Sequence, residues 1–339
     1  MMKQTRRAFL ATGVALSAAA YAGPNPEPFG SVQRLDPRLD ALIAPHAKVE
    51  RLGGGFKWAE GPVWIKRGGY LLFSDPPMNT IYRWSPKHGV KAFLHPSGYA
   101  GNDTAPLREA GSNGLAVDAS GALIICDSGN RGLARLDLKT KRKEIFLDLF
   151  EGKRFNSPND LCIARSGAIY FTDPPYGLAG IENSPVKELP YSGVYRVTPD
   201  GKITLLDKSF LYPNGVALSP DETVLYVSNT DAKQPIIRAY QLGANGMPTS
   251  FSTLFDTTPL IKPGVPGMPD GMKVDASGNL FVAGPGGILV LTKEGELLGV
   301  IGAGKRATPN CAFGEDGKSL FLAATDCLAR VRLRTRGVG

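Results

Sequence analysis

Six times along the chain a carboxylate or carboxamide stands in a short turn just before an apolar strand: Glu60 in AEGPVW, Asn113 in SNGLAVD, Asn159 in SPNDLCIA, Asn214 in YPNGVALS, Asp270 in MPDGMKVD and Asn310 in TPNCAFG. The steps between them are 53, 46, 55, 56 and 40 residues. Units of this length, each holding several short strands, match four-stranded propeller blades, whereas solenoid repeats are shorter and more regular. Within a unit the turn leads into an inner strand such as Gly114–Asp118, reverses at an Asp/Ser-Gly turn and continues into Ala122–Cys126. The same grammar recurs as VDASGNLFVAG, SPDETVLYVSN and GEDGKSLFLAA. With 41 Gly and 27 Pro, the chain is also rich in turn formers. The expectation is an all-β, six-bladed β-propeller of four-stranded blades. Residues 308–333 have room for three strands, and Lys48–Leu52 is a strand with no blade of its own, so this N-terminal strand is expected to close the last blade.

Residues 1–22 read as a twin-arginine-type signal peptide: Thr5-Arg6-Arg7-Ala8-Phe9-Leu10, an apolar run from Leu10 to Ala20, and an A-x-A site at Ala20-Tyr21-Ala22. That predicts export to the periplasm, and the apolar run is too short for a mature anchor, so no stable membrane insertion is expected. Residues 23–45 read as an extended lead-in with a helical turn near Leu39–Ile43, and 46–335 as a single propeller domain. The formal charge is +8, or +5 once Lys3, Arg6 and Arg7 are set aside. The remaining Lys and Arg are scattered and no recognition motif accompanies them, which argues against nucleic-acid binding. Cys126 and Cys162 sit in apolar strand runs as small buried thiols; Cys311 and Cys327 share one repeat and are the one pair worth testing for a disulfide.

Stacked units bring equivalent positions to one end of a shared channel, so six oxygen-bearing side chains in one register are placed to converge. Asn and Asp before Gly are also common turn formers, and any one of the six read alone is a plain turn. The shared-site reading rests on their common distance from a strand and on Glu60-Gly61-Pro62, which is no natural turn choice, while other turns of the same repeats vary. Carboxylates and amide oxygens without His or Cys favour one divalent cation, Ca2+ first, with Mg2+, Mn2+ or Zn2+ as alternatives. Two carboxylates, Glu60 and Asp270, would leave a bound dication near neutral, with places open for water and a substrate oxygen. The three histidines, His46, His88 and His95, lie outside the register, so a Ser-His-Asp triad has no placed base. Two long insertions, His95–Ala110 and Asp173–Ser192, are candidate lids or pocket walls, with Tyr176 a candidate substrate contact.

The combination E-G-P-V-W, R-F-N-S-P-N-D, P-N-G-V-A-L-S-P and P-D-G-M-x-V-D resembles the gluconolactonase, regucalcin and luciferin-regenerating family of six-bladed propellers, in its bacterial gluconolactonase branch, over roughly residues 46–333. The resemblance implies that Glu60, Asn214 and Asp270 ligate a divalent metal, that Asn159 is a fourth ligand or a substrate contact, and that Asp270 is the general base. Asn113 fits the bacterial TNGL pattern as a substrate contact. Two places depart from the family. Ser157 stands where regucalcin-type members carry Arg, and the stretch C-E-H-G-N-R-R here reads Cys126-Asp127-Ser128-Gly129-Asn130-Arg131-Gly132, which keeps Arg131 as a candidate substrate contact and lacks the His. The implied activity is metal-dependent hydrolysis of a sugar lactone, of the glucono-1,5-lactone type, to the aldonic acid. A hydrolase of other esters or aromatic lactones, or a non-catalytic propeller with a structural cation, is the alternative. The expected partner is a small-molecule lactone, and the oligomeric state is left open.

Overall fold

The turns that follow the inner strands are closed by aspartate side chains. Asp118 Oδ1 accepts from the N–H groups of Ser120 and Ala122 at 2.9 and 3.0 Å, and Asp275 Oδ1 from those of Ser277 and Asn279 at 2.9 and 2.8 Å. Each carboxylate satisfies amides that the reversal leaves unpaired, and a glycine with positive φ, Gly121 at 86° and Gly278 at 90°, completes the turn. The next strand is thereby set antiparallel beside the first. Its residues are apolar on both faces, as in residues 123–126, which Asp127 ends, and Leu280–Gly284, all of them buried.

The computed structural model describes residues 29–338; the signal peptide expected at 1–22 lies outside the described residues. Three sheets are antiparallel and four-stranded in sequence order, spanning Leu115–Leu147, Leu161–Asp207 and Pro213–Asp256. A fourth spans Met272–Gly302 and gains a fifth strand, Ser31–Arg34, along Leu297–Gly302. The lead-in thus contributes an edge strand as well as the short helix Leu39–Leu42. A two-stranded hairpin, Leu149–Phe150 with Lys153–Arg154, stands apart.

The remaining strands do not form two separate four-stranded sheets, as the sequence reading expected, but one six-stranded sheet, so among the described residues five sheets have four or more strands. The reason is two strands of unusual length, Val49–Ile65 and Ser319–Arg332, of 17 and 14 residues. Val49–Gly54 pairs with Cys327–Val331 at the C-terminal end of the chain, whereas Glu60–Ile65 pairs with Tyr70–Ser74. Between those halves the register shifts, with Gly55 at φ 98° and Gly61 at φ 53°. The described residues form an all-β propeller in which an N-terminal strand lies against the last strand of the chain.

Cores lie between neighbouring sheets. Ile124, Cys126, Leu133, Phe155, Phe171 and Tyr195 pack as one cluster, its rings 5.2–5.3 Å apart; Tyr226, Ile237, Met272, Leu280 and Val282 belong to another. Each such side chain contributes about 1.5–3 kcal/mol by leaving water, which holds adjacent sheets face to face. All four cysteines are free thiols, so Cys311 and Cys327 do not pair. Among the described residues no helix is long and apolar enough to cross a membrane.

The two insertions meet each other. Leu107 bridges Leu178 in antiparallel fashion, the N–H groups of Arg108 and Glu109 both donate to Gly177 O at 2.9 and 3.2 Å, and Ala179 N–H donates to Pro106 O at 2.9 Å.

Candidate active site

The glycine after a ligand turn is a contact surface for the next turn. A Cβ at Gly61 would lie 2.1 Å from Asn113 O, at Gly114 2.7 Å from Asn159 O, at Gly215 2.3 Å from Asp270 O, and at Gly271 2.1 Å from Asn310 Cγ. Backbone bonds seal two of these approaches, Gly114 N–H to Asn159 O at 2.7 Å and Gly271 N–H to Pro309 O at 2.8 Å. Hydroxyls from second strands clamp three more turn carbonyls: Ser74 Oγ donates to Asn113 O, Thr172 Oγ1 to Asn214 O, and Ser228 Oγ to Asp270 O, at 2.6–2.8 Å. The turns therefore interlock around one axis. A plain surface turn needs no such fit, and this is the physical content of the shared register.

Their side chains form a chain of amides. Asn113 Nδ2 donates to Asn159 Oδ1 at 2.8 Å, Asn159 Nδ2 to Asn214 Oδ1 at 2.6 Å, and Asn214 Nδ2 to Thr230 Oγ1 at 2.9 Å, while Thr230 Oγ1 donates to Pro269 O beside Asp270. The direction of donation is thereby fixed, and the oxygens of Asn159 and Asn214 each keep a second lone pair. The ring is completed by Glu60 and Asp270, whose carboxylates accept from the N–H of the residue that follows, Gly61 and Gly271.

These two acids are costly to charge. Burial, then the charge of Asp160, pushes Glu60 up to about 8, against the pull of the Gly61 N–H and the nearby Asn310 amide. Asp270 is raised well above the usual carboxylate range by burial first, then by Glu60 and Asp160. None of the three carboxylates has an ion-pair partner among the described residues. Desolvated like charges of this kind fit a site built for a cation. Among the described residues no group of three His, Cys, Asp or Glu side chains is arranged to hold an ion, so the cation would depend on the amide oxygens of Asn159 and Asn214. The donor set is all oxygen, which suits a hard divalent ion.

Asp160 was not singled out in the sequence. It occupies the place that holds glycine after four of the other turns; it is buried, its Oδ1 accepts from Leu161 N–H at 2.9 Å, and its Oδ2 has no hydrogen-bond partner among the described residues. The signal was legible as the one charged residue at that repeat position. Asn310 is more than a turn former: Oδ1 accepts from Cys311 N–H at 2.8 Å, and its amide lies near Glu60 and Asp160, where it favours both charged forms. Lys273, whose Nζ donates to Met272 O, pulls both acids the same way through its charge, and Asp160 more than Asn310 does.

Tyr176 comes to the ring from the second insertion. It stacks on Tyr212, centroids 5.2 Å apart and 16° from parallel, with its hydroxyl beside Thr230 and its pKa raised by burial and by Asp270. Ser157, in the place of the regucalcin-type Arg, anchors that loop: its Oγ donates to Pro174 O at 2.6 Å and accepts from Gly177 N–H at 2.8 Å. Ser128, in the place of the family's His, donates to Pro158 O at 2.6 Å and so steadies the turn before Asn159. Arg131 is not brought to the ring. It is buried, with Nε donating to Phe155 O at 2.7 Å and Nη1 in an ion pair with Glu188 Oε1 at 3.7 Å, because its backbone φ of 61° turns the side chain into the sheet edge. A cavity of about 1560 Å³ is lined by Val63, Val117, Cys162, Ala217, Lys273 and Phe313, and Glu60, Asn159, Asn214 and Asp270 are not among its lining residues.

A model of the SMP-30/gluconolactonase/LRE-like region matches residues 58–326. A gluconolactonase of Zymomonas mobilis is 45% identical over 331 residues, 96% of this chain and 93% of that protein. The solved gluconolactonase of Xanthomonas campestris matches with a TM-score of 0.76 at 31% identity, over 89% of this chain and 94% of that one. A regucalcin of Agrobacterium tumefaciens, described as calcium-binding, matches with a TM-score of 0.66 at 20% identity over 86% and 94%, a likeness of fold.

Proposed function

The chain belongs to the SMP-30/gluconolactonase/LRE-like family, and on that footing we propose that it hydrolyses a sugar lactone of the glucono-1,5-lactone type to the aldonic acid. The observation that carries this reading is the pair of buried carboxyls, Glu60 and Asp270, both raised by burial and by Asp160, with Glu60 raising Asp270 further, in one ring with the amide oxygens of Asn159 and Asn214. These four residues would hold the cation, Ca2+ before Mg2+, Mn2+ or Zn2+. When bound, such an ion polarises the lactone carbonyl and favours the ionised carboxylates. Asp270, ionised, accepts a proton from the water that attacks the carbonyl carbon; the bond to the ring oxygen then breaks, and that oxygen leaves as a hydroxyl by taking the proton back from Asp270, which is ionised again. Asn113, its nitrogen committed to Asn159, offers Oδ1 to a substrate hydroxyl, and Tyr176 on Tyr212 walls the pocket. Arg131 serves by holding Phe155.

The test is base uptake by pH-stat with glucono-1,5-lactone. Hydrolysis above the spontaneous rate, lost with chelator and restored by a divalent ion, is expected. No acceleration across a panel of lactones with the ion present would refute the assignment. The Tyr176–Tyr212 stack gives a specific reason to include an aromatic lactone, since a flat ring fits against it.

We further read the domain, residues 46–335, as six blades. The split pairing of Val49–Ile65 supports this count: Val49–Gly54 would complete one blade with Cys327–Val331, and Glu60–Ile65 would open the next. The Thr5-Arg6-Arg7 segment supports export to the periplasm, which fractionation of cells expressing the full chain tests.

A further inference from the structure

The first insertion places a carboxylate at the mouth of the ring for which the mechanism has no use. Glu109 is clamped at its backbone, donating to Gly177 O at 3.2 Å next to Tyr176, and Arg108 secures the same spot from Nη1 to Tyr176 O at 3.2 Å. The Glu109 side chain is only 12% exposed, and among the described residues its one ion-pair contact is Arg108 Nη1 at 3.3 Å. Its charge reaches Asp270. A carboxylate has about four acceptor positions; among the described residues Glu109 has only Arg108 as a charged partner, on a loop tied to the second insertion by the Leu107–Leu178 bridge. Beside them lies the Tyr176–Tyr212 stack, an apolar face with polar groups at its rim.

We propose that Glu109 and Arg108 form a diol-binding subsite that selects lactones carrying vicinal hydroxyls. Glu109 accepts from two neighbouring hydroxyls of the substrate, Arg108 donates to their oxygens, and the ring carbons lie against Tyr176. A buried carboxylate of this kind discriminates strongly, because a substrate lacking the hydroxyls leaves Glu109 desolvated without partners, whereas the half-exposed Arg108 stays hydrated. The inference rests on the lactone-hydrolase reading and adds to it the source of substrate choice.

The experiment compares wild type and Glu109→Gln, loaded with the divalent ion, on glucono-1,5-lactone and on δ-valerolactone, which has the same ring without hydroxyls. Gln preserves size and removes the charge. Expected is a fall of about tenfold or more in kcat/KM for gluconolactone, mainly in KM, with δ-valerolactone changed less than about twofold. An equal loss on both lactones, or no loss on either, overturns the proposal. Calorimetric titration with glucitol, an inert polyol, separates this outcome from failure of the hydrolase reading. If wild type accelerates neither lactone, the hydrolase reading falls, while glucitol binding weakened about tenfold in Glu109→Gln still supports the subsite. Undetectable glucitol binding by wild type, or equal binding by both proteins, removes the subsite.

Discussion

Asn159 donates its side-chain amide to Asn214 Oδ1 at 2.6 Å across the boundary between two sheets. That bond orients both amides at once, since Asn159 Oδ1 is held by Asn113 and Asn214 Nδ2 by Thr230. An oxygen aimed by two neighbours loses little freedom when it takes a ligand, which is how surrounding hydrogen bonds strengthen a metal site.

The amide chain leads to a first expectation. Asn214→Ala removes one proposed ligand and releases Asn159 from its acceptor, so the affinity for the divalent ion should fall by about 10–100-fold. Calorimetric titration of chelator-stripped protein with Ca2+ measures it. Affinity unchanged in the variant would remove Asn214 from the ligand set.

Stability should depend on pH in a direction set by Glu60 and Asp270. Below about pH 4.5 Glu60 is protonated folded or unfolded, and its burial carries no charge penalty. As pH rises from there to about 8 the unfolded chain ionises first, so metal-free protein loses stability across that window; Asp270 acts in the same sense. A bound dication reverses the balance. The Tm of chelator-treated protein should therefore drop by about 5 °C or more from pH 5 to pH 8, and the gain on adding Ca2+ should be larger at pH 8. Equal Tm values at the two pH values would show that these carboxyls are not desolvated.

The repeat register was legible in the sequence because strand period, turn chemistry and the place of the oxygen-bearing side chain all repeat together. Tyr176 was legible as an aromatic in a long insertion. The sheet count was not, because nothing local in VERLGGGFKWAEGPVWI tells a strand that ends from one that bends at glycines and pairs with two different neighbours. Arg131 misled because its motif neighbours fit the family while its φ of 61° sends the side chain toward Phe155. Asp160 was hidden by standing beside Asn159, the more familiar ligand type. Glu109 had no periodic signal at all; only the contact between two loops far apart in sequence puts it over the site.

Interlocking turns should tolerate no side chain where one turn touches the next. At Gly61 an added Cβ meets backbone, Asn113 O at 2.1 Å, and φ is 53°. Gly61→Ala should cost about 1–3 kcal/mol, seen as a lowered urea midpoint, and should weaken ion affinity through the displaced Asn113. Gly201, at φ 86° with nothing within 4 Å, provides the comparison: Gly201→Ala carries the backbone strain alone and should leave ion affinity unchanged. Equal effects on ion affinity would mean that the turns do not transmit position to the ring.

Asp270 and Glu60 share burial, acidity and a turn glycine, yet the proposed mechanism gives them different work, and two isosteric variants separate it. Glu60→Gln removes a charge that serves only to hold the cation, so it should weaken ion affinity and recover much of its turnover when the ion is supplied in excess. Asp270→Asn keeps an oxygen for the cation and loses the proton acceptor, so saturating ion should not rescue it, and kcat should stay about 10²–10⁴-fold down. The ratio of kcat at saturating Ca2+ between the two variants is the measurement. Equal rescue of both would leave Asp270 as a ligand only, and the proton from the attacking water would then need another acceptor. Asp160, the remaining buried carboxylate of the ring, with Oδ2 unpartnered, would be the next group to test.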